Sequence, residues 1–213
     1  MKTKLTLLFT LLIAAGAAFG QCKEWKWPED GEQKALAEEK YVLHNDLVKN
    51  AKYREAIPAH QWLLNNTPNL QSAIYINGEK IFSKLADAEK DPARKAVYVD
   101  SLMMMYDMRL EYCPTNTTYD RKALYAFKYW YKDDSKLPTI LEWFNLNYEK
   151  RGAKMMDSNI KFHMQAVQLN GLKLKTISEE QALDYYDKLS GIVSQKKAAK
   201  PDAAAKYDKI QAD

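Results

Sequence analysis

KYREAIPAHQWLLNNTPN, residues 52 to 69, decides how the rest of the chain is read. It sets a histidine and a tryptophan two positions apart on a helical pattern that contains a proline. Either His60 and Trp62 begin an active site, or the stretch is one half of a structural unit. Tyr53, Ala56, Ile57, His60, Leu63 and Leu64 fall at three- and four-residue steps, the spacing of one helix face. Asn65-Asn66-Thr67-Pro68-Asn69 then stops the helix. No nucleophile or acid lies nearby to make His60 a catalyst. His60 is expected to pack between helices with Trp62 covering a neighbour, and Pro58 to kink the early helix locally.

The flanks extend the pattern. Gln33 to Lys49 carries Leu36, Tyr41, Leu43, Leu47 and Val48 on one face, and Asn50-Ala51-Lys52 interrupts it. A third helix starts near Ser72 with Ala73, Ile74, Ile76, Ile81, Phe82 and Leu85. Asp91-Pro92 reads as the start of a fourth that runs to about Tyr112, where Pro114 ends it. Leu124, Phe127 and Tyr131 mark a fifth; Leu137, Ile140, Leu141, Phe144 and Tyr148 mark its partner. A further pair is expected over Asp157–Leu172 and Ser178–Ser194, with Ser178 capping and Glu179–Glu180 in the first turn. Pro201 begins a last amphipathic helix, either a short cap or the front of something longer. Helix, short turn, helix in series describes antiparallel hairpins. With only 7 glycines and 7 prolines in 213 residues, a hairpin-rich β fold is excluded.

The spacing Tyr53-x2-Ala56-x3-His60-x2-Leu63-x4-Pro68, preceded by Leu43-His44-x2-Leu47, resembles a tetratricopeptide repeat. The 34-residue period maps His44 onto Gly78 and Leu47 onto Ile81, which fit, and Leu43 onto Asn77, which fits poorly. QCKEWKWPED, AHQWLLNNTPN, IYINGEKIF and DSLMMMYDMR together are similar to a group of exported tetratricopeptide-type proteins of Bacteroidota. The resemblance implies an all-α, right-handed superhelical stack of about four helical hairpins, an α-solenoid. It carries over no catalytic residue. The first helix of each pair would line the concave side, which places Tyr41, Asn45 and Lys49 in register with Tyr75, Glu79 and Phe82. Tyr125, Tyr129 and Lys132 would continue the row. Tyrosines offer contact area at low entropic cost and polar tips that orient an extended peptide. These nine residues are the expected partner-binding set.

Compartment is read from the first residues. Lys2 and Lys4 precede a 15-residue apolar run, Leu5 to Phe19, with Ala18 and Gly20 beside Phe19. That is the pattern of a secretory signal peptide over residues 1–20, and a spanning helix needs roughly 20 residues. Residues 21–32 then form an extended segment, 33–195 the helical repeat domain, and 196–213 a linker with the terminal helix. No later stretch approaches spanning length, so no transmembrane segment is expected after cleavage. The expected location is the periplasm or the cell surface. Cys22 and Cys113, 91 positions apart, are a candidate disulfide pair there; a free thiol and a lipidated Cys22 are the alternatives.

Other functions find little support. The formal net charge of +4 falls to +2 without Lys2 and Lys4, which gives no case for nucleic acid. HExxH, CxxC, P-loop and GxSxG patterns are all missing, and the chain has 3 histidines. No catalytic residue, metal set or cofactor is assigned. His44 and His163 lie far in sequence from any paired carboxylates. Met103-Met104-Met105 with Met108 is a soft-ligand candidate but suits core filling better, Met104–Met108 following a buried stripe. Asp100-Ser101-Leu102 resembles a short bacterial O-glycan acceptor inside a helix. Asn65-Asn66-Thr67 and Asn116-Thr117-Thr118 match the N-linked sequon, which matters only in a eukaryotic secretory pathway. The expected function is a scaffold for a protein or peptide. The alternative is a glycan- or nutrient-binding accessory that uses Trp25, Trp27, Trp62, Trp130 or Trp143 as ring platforms.

Overall fold

The computed structural model describes Cys22 and residues 24–212; the expected signal segment lies outside the described residues. The described chain is all-helical, with no strand among these residues. Its elements are α1 (Gly31–Lys49), α2 (Tyr53–Asn66), α3 (Ala73–Ala88), α4 (Pro92–Tyr112), α5 (Thr117–Trp130), α6 (Leu137–Arg151), α7 (Asp157–Gln168), α8 (Glu179–Ala199) and α9 (Ala204–Ala212). No helix among the described residues is long and apolar enough to cross a membrane.

Local chemistry sets the boundaries. Asp30 caps α1 by accepting from the Gln33 amide at 2.8 Å, and Asp91 does the same for Arg94 ahead of Pro92 in α4. Ser178 and Gln181 close a reciprocal capping box at α8. Ala51, with φ of 58°, turns the chain between α1 and α2. Pro58 sits in α2 on the exposed side, so the backbone bond it forgoes is not missed in the core. At the end of α2 the Thr67 hydroxyl and amide both bond the Leu63 carbonyl.

α1 packs on α2, α3 on α4 and α5 on α6, and each pair packs on the next through α2–α3, α4–α5 and α6–α7. Odd-numbered helices also touch across pairs, α1 on α3 and α5 on α7. One apolar core runs from Cys22 to Val167, and a second, around Met155, Ile160, Leu189, Ile192, Val193 and Tyr207, joins α7, α8 and α9.

Two polar junctions weld this series. His44 of α1 stacks on His60 of α2 at 5.0 Å, and His60 Nε2 lies 3.1 Å from Met105 Sδ of α4. Gly78 of α3 closes the junction: a Cβ there would lie 2.7 Å from the His60 ring and 2.8 Å from the Met105 sulfur. Only glycine admits so close an approach of four helices. Burial lowers the pKa of His44 to about 4 and of His60 to about 3, so both are neutral at pH 7. Farther on, the buried Asp120 accepts from Arg151 Nε at 2.6 Å and from the Met156 amide at 2.8 Å, while Asn159 bonds its carbonyl at 2.9 Å. A buried ion pair satisfied on several sides holds α5, α6 and α7 in register.

Several sequence expectations shift. Ala37, His44 and Val48 form the buried stripe of α1, and Leu43 points outward at 44% exposure. Met103 and Met105 are core, but Met104 is 50% exposed, so it does not share a buried stripe with Met108. Leu102 and Tyr106, at the complementary four-residue step, fill that stripe instead. α8 continues past Ser194 to Ala199, and a turn of tighter helix at Pro201–Ala203 leads into α9.

Candidate functional site

The nine residues expected to line a partner groove fall into three groups. Tyr75, Glu79 and Phe82 are interior, at 1%, 9% and 6% exposure. Tyr75 donates its hydroxyl to the Pro68 carbonyl at 2.6 Å, and Phe82 meets His60 edge-on at 5.8 Å. The reason is the position of α3, which α1, α2 and α4 all contact, so that helix keeps little free surface. That rung of the expected ladder is therefore corrected: it is core and cannot meet a partner.

A second group knits the odd helices together. Asn77 donates to Asn45 at 2.6 Å, and Arg121 pairs with Glu79. The Tyr129 hydroxyl reaches the Asp87 carboxylate at 2.9 Å and the Ser83 carbonyl at 3.2 Å. Tyr41 presents its ring to the edges of Trp25 and Trp27, whose indoles stack at 5.0 Å. Polar tips that could have oriented a peptide are thus spent on neighbouring helices. Lys49 and Lys132 remain exposed, and Tyr125 borders an open cavity.

That cavity is a trough of about 820 Å³ between α5 and α7. Phe127 of α5 stacks on Phe162 of α7 at 4.9 Å and on Tyr131 at 5.5 Å, which makes an aromatic floor. Leu124 and Leu169 extend it, Leu172 stands at its edge at 74% exposure, and Gln165 and Gln168 contribute amides. Lys128 is the one charged residue in the lining, and its ammonium pairs with Asp87 at 2.8 Å. A smaller pocket of about 240 Å³ on the other side of α7 shares Gln165 and Gln168.

Sequence reading missed Phe162, Gln165, Gln168, Leu169 and Leu172. After Gln168 the helix widens into a π turn, Leu169–Lys173. One wide turn shifts the helical phase, so Leu172 does not stay on the face that a regular period assigns. Such insertions often sit at functional sites; nothing in the spacing of the expected Asp157–Leu172 helix marked Leu172 as exposed.

Other groups singled out in the sequence are engaged by neighbours within the fold. His163 Nε2 lies 3.0 Å from the Asn145 side-chain oxygen, Asn145 bonds Tyr185, and burial lowers the His163 pKa to about 3. A neutral imidazole in that state is a poor base at pH 7. Ser101 donates its hydroxyl to the Val97 carbonyl at 2.8 Å within α4, and Leu102 beside it is fully buried. Cys22 and Cys113 form a disulfide, with Cα atoms 5.2 Å apart. The segment it tethers runs over the first pairs, where the Lys26 amide bonds the Leu70 carbonyl at 3.2 Å.

No family model matches the chain, and comparison with curated proteins and with solved structures finds no match.

Proposed function

We propose that the protein is an exported, tetratricopeptide-like scaffold of the periplasm or cell surface that docks a protein partner along the trough between α5 and α7. The four helix pairs in series, and the contacts of α1 with α3 and of α5 with α7, support a superhelical stack with the odd helices on one side. The disulfide supports an oxidising compartment. The observation that carries the reading is the trough itself. It pairs an aromatic floor with apolar side chains left in water, Leu172 at 74% and Tyr131 at 40% exposure. A concave, mostly apolar lining with a few polar groups is the usual make-up of a binding site.

The alternative, glycan capture on indoles, fits less well. Trp25 and Trp27 stack face to face, 3° from parallel, so their inner faces cover one another. The Lys122 ammonium lies 3.4 Å from the Trp143 ring centroid and that of Lys136 5.1 Å from Trp130, which occupies those faces too. What favours it is the outer face of Trp25, 47% exposed.

Capture from envelope extract tests the scaffold. The protein is expected to recover a partner that the Leu172→Glu variant recovers at least tenfold less of, by quantitative mass spectrometry. Recovery no greater than with an unrelated exported protein contradicts it, as does equal recovery by the variant.

A further inference from the structure

We infer that the trough between α5 and α7 also takes the alkyl chain of an anionic amphiphile, a long-chain carboxylic acid being the simplest. This goes beyond the scaffold reading, which uses the same trough and its exposed leucine for a protein partner. The cavity, about 820 Å³, lies within the range of small-molecule sites, which are mostly apolar with a few placed polar groups. Phe127 and Phe162 give such a chain a stacked aromatic floor, and Leu172 adds an exposed apolar side chain beside it.

Charge selects the head group. No carboxylate lines the trough, whereas Lys128 does, and Lys132 sits with its ammonium 5.5 Å from the ring of Tyr131, another lining residue. The Lys128–Asp87 pair is about half exposed at both ends, a kind of bond worth little, so an incoming carboxylate shares the ammonium at small cost.

An alkyl chain makes the smaller hydrogen-bonding demand on the floor. An extended peptide brings backbone groups that lose water and need partners. The lining offers few: the Gln165 and Gln168 amides, the Tyr125 and Tyr131 hydroxyls and the Lys128 ammonium, which already pairs with Asp87. An alkyl chain asks for none.

Titration calorimetry of the purified protein with octanoate, decanoate, dodecanoate and dodecanol, each below its aggregation concentration, tests the inference. Affinity is expected to rise about fourfold for each added methylene until the trough is filled. Dodecanoate should bind more tightly than dodecanol, and Lys128→Gln should erase that difference. Leu172→Glu, at a site too exposed to upset folding, should weaken dodecanoate at least tenfold with an unchanged circular dichroism spectrum. Lack of saturable binding by any of the four overturns the inference, as does binding that Leu172→Glu leaves intact. Equal affinity for acid and alcohol overturns the anionic head group. Partner capture that depends on Leu172 alongside no amphiphile binding also overturns it, and leaves the scaffold reading standing.

Discussion

Acidification from pH 7.5 to 4.5 is expected to remove most of the protein's folding stability, read as a collapse of its urea midpoint. All three histidines, His44, His60 and His163, are at most 1% exposed, and burial lowers their pKa values to about 4, about 3 and about 3. In the unfolded chain each titrates near its ordinary 6.5. Between those values the unfolded state binds protons that the folded state refuses, so stability falls as pH falls. It is fully present above about pH 6.5 and is lost progressively down to the folded values. Three such groups give a slope of about 4 kcal/mol per pH unit as an upper figure, against a total stability of roughly 5–15 kcal/mol. His44 and His60 also repel once charged, since their rings stack at 5.0 Å. Replacing His60 by Phe should reduce the slope by about a third. Equal midpoints at the two pH values would mean that these imidazoles are not held neutral inside.

Reduction of the Cys22–Cys113 bond, or Cys113→Ser, is expected to lower the melting temperature by about 10 °C. The bond closes a loop of 91 positions, and removing it restores chain entropy to the unfolded state amounting to about 4–5 kcal/mol. It also anchors the segment bearing Trp25 and Trp27 against Tyr41. Tryptophan fluorescence should therefore report a second, local change: a red shift as Trp27 leaves its half-buried position. A melting temperature unaffected by reductant would show that the protein does not carry the bond in solution.

Helices were far more legible in the sequence than surfaces. Caps and breakers act over three or four residues, so Asp91-Pro92, the Asn65–Asn69 cluster and Ser178 placed helix ends to within a few positions. The junction role of His60 was also readable, because its spacing from Ala56 and Leu63 belongs to a packed face. Which face meets water was not. Tyr75 and Phe82 share α3 with Ile74, Gly78 and Ile81, and only the neighbours on several sides decide that both rows are interior. Asn45 and Tyr129 look like ligand-binding groups in sequence, yet they bond residues 32 and 42 positions away. The trough escaped notice because the end of its far wall, Leu169 and Leu172, lies in a π turn, where a regular period loses its phase.

The central functional claim is that partners meet the odd-helix side at α5 and α7 and leave the even-helix side bare. Photo-crosslinking compares the two directly. A benzophenone amino acid is placed at Leu172 in one variant and at Val97 of α4 in another, 74% and 62% exposed respectively. After irradiation of the producing cells, a discrete protein adduct is expected from position 172 and none from position 97. An adduct from position 97 alone, or equal adducts from both, would contradict the account.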